Sequence, residues 1–220
     1  MWDRDSGIMF AADLPDRDSA FSILDEVADQ VDVIKFNYPL ILREGINLLG
    51  ETKKRYGRPV FADFKVADVP VTNNRIIKLC EEEGVDAVML HGFIGVEALR
   101  RAKKVADKLG LFLVTQLTSP GGADFFEPHW KKFAELAVVM ELEGVQAPGN
   151  RPQVVKQVRE IVGDELVIVS CGIGAQGGKY GGAIAAGADF EIIGRDIYRA
   201  DSPGDKVESI RREIKPHLNN

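Results

Sequence analysis

Cysteine and histidine are scarce in this chain. Its 220 residues hold two cysteines, Cys80 and Cys171, at a separation that matches no disulfide framework and no zinc motif. They read as free thiols in a reducing compartment, the cytoplasm. The three histidines, His91, His129 and His217, are scattered, so no His/Cys metal cluster is expected. Long apolar runs are missing too: none approaches the roughly 20 residues of a membrane span. No basic, apolar leader opens the sequence. An excess of positive charge is also lacking. The net charge of −6 argues against a nucleic-acid partner.

What is present is a 45% hydrophobic composition, enough for one buried core. No linker or low-complexity segment divides the chain, so residues 1–220 are expected to form a single domain. Short apolar runs alternate with amphipathic stretches. Strands are expected at 8–12, 31–36, from 59 into the charged stretch, 85–90, 111–117, 144–147, 165–170 and 188–193. Helices are expected at 18–29, from Tyr38-Pro39 to about 56, and at 72–83, 96–109, 130–141, 152–162 and 205–214. A short helix should end near Gly187. Continuous apolar strands indicate a parallel sheet covered on both faces. Eight such units most simply close into a (β/α)₈ barrel, with a doubly wound open sheet as the alternative. No strand is clearly built as an edge.

The charges cluster at strand ends. Asp63 and Lys65 are two apart and should face one way. Asp68 lies beyond the strand, where Pro70 disfavours helix in the residue before it. Asp13, Lys35, His91, Thr118 and Arg195 also fall at strand ends or just past them. In a barrel these ends meet at one mouth. A strand-end ion pair would explain Asp63 and Lys65 alone, but not this distribution. Asp13, Lys35, Asp63, Lys65 and Asp68 form an alternating carboxylate–ammonium array. Such an array can hold a lysine protonated without a metal, ready to stabilise and protonate a carbanion.

Gly172-Ile173-Gly174-Ala175-Gln176-Gly177 has the form of a dinucleotide fingerprint but follows the seventh strand, outside a Rossmann turn. Six glycines in the 11 residues 172–182 suggest a mobile loop whose backbone approaches a ligand. Gly194 and Arg195 close the eighth strand. Loops after strands seven and eight commonly hold phosphate in such barrels, so a phosphorylated substrate is expected.

These residues resemble the orotidine 5′-monophosphate decarboxylase family over nearly the whole chain. The most specific piece is Asp63-Phe64-Lys65-Val66-Ala67-Asp68-Val69-Pro70, followed by Thr72 and Asn73. Supporting pieces include Ala12-Asp13-Leu14, Val33-Ile34-Lys35, His91-Gly92, Thr115-Gln116-Leu117-Thr118-Ser119, Gly174-Ala175-Gln176-Gly177-Gly178 and Gly194-Arg195. The resemblance implies conversion of orotidine 5′-monophosphate to uridine 5′-monophosphate and CO₂, the last step of pyrimidine nucleotide synthesis. It implies no cofactor and no metal, and a homodimer of barrels with shared sites.

Under it, Lys65 is the proton donor to C6 and Asp63 lies beside the departing carboxylate. Lys35 and Asp13 bind the ribose and order the array. Asp68 and Thr72 reach the partner's site. Gln176, Gly194 and Arg195 hold the phosphate, and Thr118 or Ser119 bonds the pyrimidine. The chain departs from the family in two places. Archaeal-type members usually read Ser-His-Pro where it has Thr118-Ser119-Pro120, and Cys171 stands where many have proline. The nearest alternatives are the magnesium-dependent 3-keto-L-gulonate 6-phosphate decarboxylase and hexulose 6-phosphate synthase. These typically place a glutamate metal ligand where this chain has Lys35. A non-catalytic phosphate-binding barrel is the alternative from another class.

Overall fold

A computed structural model describes residues 2–218. Its first half runs β1 (Ile8–Ala11), α1 (Arg17–Val27), β2 (Val33–Phe36), α2 (Tyr38–Glu44), α3 (Asn47–Tyr56), β3 (Val60–Val66), α4 (Pro70–Glu82), β4 (Ala87–His91) and α5 (Val96–Val105). The second runs β5 (Gly110–Val114), α6 (Ala123–Phe126), α7 (Trp130–Val139), β6 (Gly144–Pro148), α8 (Pro152–Val162), β7 (Val167–Cys171), α9 (Gly182–Ala185), β8 (Phe190–Ile193), α10 (Arg195–Tyr198) and α11 (Pro203–Ile214). The strands pair in parallel, each with the next in sequence, and β8 returns to β1 to close the barrel. The (β/α)₈ reading therefore holds and the open sheet does not.

Local chemistry explains most boundaries. Asp16 caps α1 by accepting from the Ser19 N–H at 2.9 Å. Prolines occupy the first turns of α2, α4, α8 and α11, where a missing N–H costs nothing. The helix expected from Tyr38 to Tyr56 is two helices, because Gly45 adopts φ 90° and breaks the hydrogen-bond ladder. The helix expected over 96–109 stops at Val105, because residues 106–109 must turn back to bring Leu109 into the core. The strand expected over 111–117 ends at Val114, and Thr115–Leu117 lead out toward the mouth.

One pattern at the N-terminal end of the barrel has no counterpart in the expectations. Asp32, Asp86, Glu143 and Asp189 each immediately precede an even-numbered strand. Each carboxylate accepts from an N–H at the start of the odd strand before it. The donors are Gly7 (2.8 Å), Val60 (2.8 Å), Leu111 (2.7 Å) and Ile168 (2.7 Å). Four carboxylates thus stitch the strands together two by two. Inside this rim the Trp2 ring stacks on Phe112 at 5.6 Å and meets Phe61 and Phe190 at 6.0 Å. It stops the barrel at the end opposite the charged residues.

Trp2→Ala should remove this stop. We expect a loss of about 2 kcal/mol, below the ~3–5 for a fully buried aromatic because Trp2 is only half-buried. Urea unfolding measures it. A change below about 0.5 kcal/mol would mean the stacking contributes nothing.

Candidate active site

The C-terminal strand ends hold the charges. Lys35, on β2, is 3% exposed, and its Nζ donates to both Asp13 carboxylate oxygens, at 3.0 and 3.1 Å. The same Nζ reaches Asp63 Oδ2 at 3.4 Å. On the other side of Asp63, Lys65 Nζ lies 2.5 Å from Oδ1. The four groups form one chain, Asp13–Lys35–Asp63–Lys65. Burial alone would push the Lys35 ammonium toward neutrality, but the Asp63 and Asp13 carboxylates outweigh it and raise its pKa.

Asp63 and Lys65 meet as their spacing predicts, with an irregularity that spacing does not give. The β3–β4 register shifts between Ala62 and Val66, and Lys65 sits at φ 44°. A left-handed lysine in a strand is strained by about 1–3 kcal/mol. Strain held at a charged strand end marks a site where side-chain placement matters more than backbone comfort.

A cavity of about 210 Å³ opens over this array. Asp13, Lys35, Asp63, Lys65, Thr118, Gln176, Gly194 and Arg195 all line it, so eight of the sequence candidates converge. Gly194 is the N-cap of α10; a Cβ there would meet the Ala11 carbonyl oxygen at 2.9 Å. Arg195 has no ion-pair partner among the described residues. The glycine-rich segment is a folded turn. Gly174 N–H donates to Gly178 at 2.7 Å and Gly178 N–H to Gly172 at 3.0 Å. The Gly174 position admits no Cβ, which would lie 2.0 Å from Asp196 Oδ2. The turn leans across the mouth, where Gln176 Oε1 accepts from the Thr118 hydroxyl at 2.8 Å.

Asp68, Thr72 and Ser119 are not among the residues lining the cavity. Asp68 is exposed; its carboxylate accepts from Val69 N–H at 2.6 Å, and its backbone is clasped by Asn73. Thr72 follows in the first turn of α4, and Ser119 is exposed. Sequence reading missed Asn37, Cys171, Ile192 and Tyr198 as lining residues. Asn37 directly follows β2, so the strand-end rule that selected Lys35 could have found it. His91 ends β4 and stacks on Phe93 at 4.5 Å. Burial and then the Lys65 charge lower its pKa to about 4.

The fold and site together define a (β/α)₈-barrel enzyme with a cluster of fixed charges at its strand ends. The family model described as "Orotidine 5'-phosphate decarboxylase / HUMPS family" matches residues 6–210, and the chain belongs to that family. An orotidine 5'-phosphate decarboxylase of Methanosarcina acetivorans is 42% identical over 218 residues, 98% of each chain. One from Pyrococcus furiosus is 37% identical over 208 residues, covering 94% of this chain and 97% of the relative. The Methanocaldococcus jannaschii orotidine 5'-monophosphate decarboxylase, solved with the inhibitor BMP, superposes with a TM-score of 0.89. It is 35% identical and the match covers 94% of this chain and 97% of that one.

The His91 imidazole gives a prediction. Its ordinary pKa of 6.5 applies to the unfolded chain and about 4 to the fold. Between those values the unfolded chain binds the extra proton, so stability falls as pH drops through that window. The loss in urea midpoint between about pH 7 and about pH 4.5 should be smaller in His91→Asn than in the parent protein. Equal losses would assign the acid sensitivity to other groups.

Proposed function

We propose that this protein decarboxylates orotidine 5′-monophosphate to uridine 5′-monophosphate and CO₂. The observation that carries the reading is the Asp13–Lys35–Asp63–Lys65 chain at the mouth, facing the Gly194–Arg195 end of the same cavity. The chain supplies fixed charge; Gly194 and Arg195 supply a backbone approach and a guanidinium for phosphate.

The geometry supports a sequence of steps. Phosphate binds at Gly194 and Arg195, and Gln176 on the glycine-rich turn closes over it. Binding energy far from the reacting carbon then serves to desolvate the pyrimidine. The substrate carboxylate lies beside Asp63. Two carboxylates about 4 Å apart repel by roughly 4 kcal/mol at an effective dielectric near 20. The C6–carboxylate bond breaks, the electron pair stays on C6, and CO₂ leaves. The Lys65 ammonium stabilises that pair and gives its proton to C6. Solvent then reprotonates Lys65. Lys35, kept cationic by its two carboxylates, stays paired with Asp63. Its ammonium fills the space between Asp13 and Asp63, where a magnesium-dependent relative would need a ligand. Asp13 and Lys35 also reach the ribose hydroxyls, and Thr118, with Ser119 nearby, bonds the base.

The reading includes a homodimer with shared sites, in which Asp68 and Thr72 complete the partner's site. In support, Asp68 is exposed among apolar neighbours: Val69, Val71 and Leu79 are 62%, 60% and 46% exposed. The cytoplasm is the compartment proposed, in keeping with two free thiols. No described helix is long and apolar enough to cross a membrane. The partners proposed are thus the nucleotide and a second copy, with no nucleic acid.

The test is loss of pyrimidine absorbance on incubation with orotidine 5′-monophosphate, with and without chelator. Turnover should persist with chelator, and Lys65→Ala should lower it at least about a thousandfold while leaving the fold intact. An inactive parent protein would overturn the reading, and activity lost to chelator would favour the magnesium-dependent sugar phosphate chemistry.

Site sharing has its own test. Lys65→Ala and Asp68→Ala homodimers should each be nearly inactive. Unfolded together and refolded at equal concentration, they should recover about one quarter of parent activity, since half the dimers are mixed and each has one intact site. No recovery, with mixed dimers verified by mass, would sink the shared-site arrangement.

A further inference from the structure

Cys171, which lines the cavity, is joined from behind by buried Gln146, a polar pair that the charge chain does not use. Phe61, Phe112 and Phe190 face the barrel interior, because the Trp2 ring packs against all three. Residues two apart in a strand share a face, and paired residues of parallel strands face the same way. Phe112 pairs with Gly144, and Val114 with Gln146. Gln146 pairs with Val169, and Pro148 with Cys171. Gln146 and Cys171 therefore both face inward, and Cys171 lines the cavity beside Asp63 and Lys65.

The two side chains touch. Gln146 Nε2 donates to Cys171 Sγ at 3.1 Å. Gln146 is 1% exposed, yet its Oε1 has no partner. An unpartnered buried acceptor costs about 1–3 kcal/mol, and an apolar side chain would avoid that cost. The pair is also adaptable. A thiol both donates and accepts. A half-turn of the amide would place Oε1 on the thiol and free the NH₂ to donate elsewhere.

The geometry points to Gln146, oriented by the Cys171 thiol, as a hydrogen-bond donor to the carboxylate on the reacting carbon of the bound pyrimidine nucleotide. This assignment rests on the decarboxylase reading. That reading sets the substrate carboxylate beside Asp63, in the wall that Cys171 shares. There it is repelled by Asp63, while the nearest ammonium, Lys65, is engaged with Asp63. A neutral amide can receive the carboxylate without quenching either charge. The carboxylate loses its charge as CO₂ forms, so the amide favours bound substrate over the transition state. Gln146 thus determines affinity for the carboxylated nucleotide and does not accelerate its reaction.

Gln146→Leu keeps the size and removes the amide. The Michaelis constant for orotidine 5′-monophosphate should rise about tenfold or more, the effect of one hydrogen bond to a charged group. The value of kcat should stay or rise. The inhibition constant of uridine 5′-monophosphate, which lacks the carboxylate, should move less than about twofold. Equal weakening of both nucleotides would make Gln146 structural, and an unchanged Michaelis constant would exclude the contact. If Gln146→Leu does not fold, Cys171→Ala and Cys171→Ser carry the test. Alanine should raise the Michaelis constant and serine, which can still orient the amide, should not; identical values would overturn the assignment. A parent protein inactive on orotidine 5′-monophosphate would defeat the decarboxylase reading itself, a separate outcome.

Discussion

Asp63 sits buried between two ammonium groups, and the mouth of the barrel is arranged around that fact. A lone carboxylate at 6% exposure would be protonated or would drag water inward. Lys35 at 3.4 Å on one oxygen and Lys65 at 2.5 Å on the other supply it with two partners. Lys35 in turn is paired with Asp13 as well, and the two carboxylates together outweigh its burial. Breaking such a buried network by removing one member typically costs about 3–5 kcal/mol. The network is therefore as much a constraint on folding as a device for chemistry. The left-handed backbone at Lys65 is part of the same bargain.

Much of this was legible in the sequence, for identifiable reasons. Strand ends are where apolar runs stop, so Asp13, Lys35, Asp63 and Lys65 announced themselves by position. Barrel closure then brought them together, which no local pattern could do but a count of eight units could. What was illegible depended on backbone detail. Gly45 breaks a helix whose side-chain periodicity continues past it. The bulge in β3 follows from pairing with β4, not from the residues of β3 alone. Cys171 was noticed as a departure from its family but not as a lining residue. Gln146 does carry a signal in the sequence, being a polar residue inside the short apolar strand β6.

Gln146 and Cys171 also bear on how the site distinguishes its two ends. The array around Lys65 is rich in full charges. Beside it the lining is a thiol, Cys171, backed by the neutral amide of Gln146, with Ile173 and Ile192 as apolar neighbours in the cavity. His91, held neutral at ordinary pH by burial and by the nearby Lys65, adds no charge to this end of the barrel. A reaction that creates charge on carbon and erases it from a carboxylate needs both environments within one small cavity.

The four carboxylates at the far rim carry a different implication. Each joins an odd strand to its even successor, so β1–β2, β3–β4, β5–β6 and β7–β8 are quarter-barrels with their own fastening. Such contacts close short loops and can form early in folding. The β8–β1 seam is fastened otherwise: Arg4 reaches Asp189 at 3.3 Å and the Leu218 carbonyl at 2.7 Å. That clasp joins the two ends of the chain across its greatest sequence separation. The barrel is therefore fastened in quarters, with a clasp between its described ends at one of the seams, and this modularity lies at the end opposite the charged mouth.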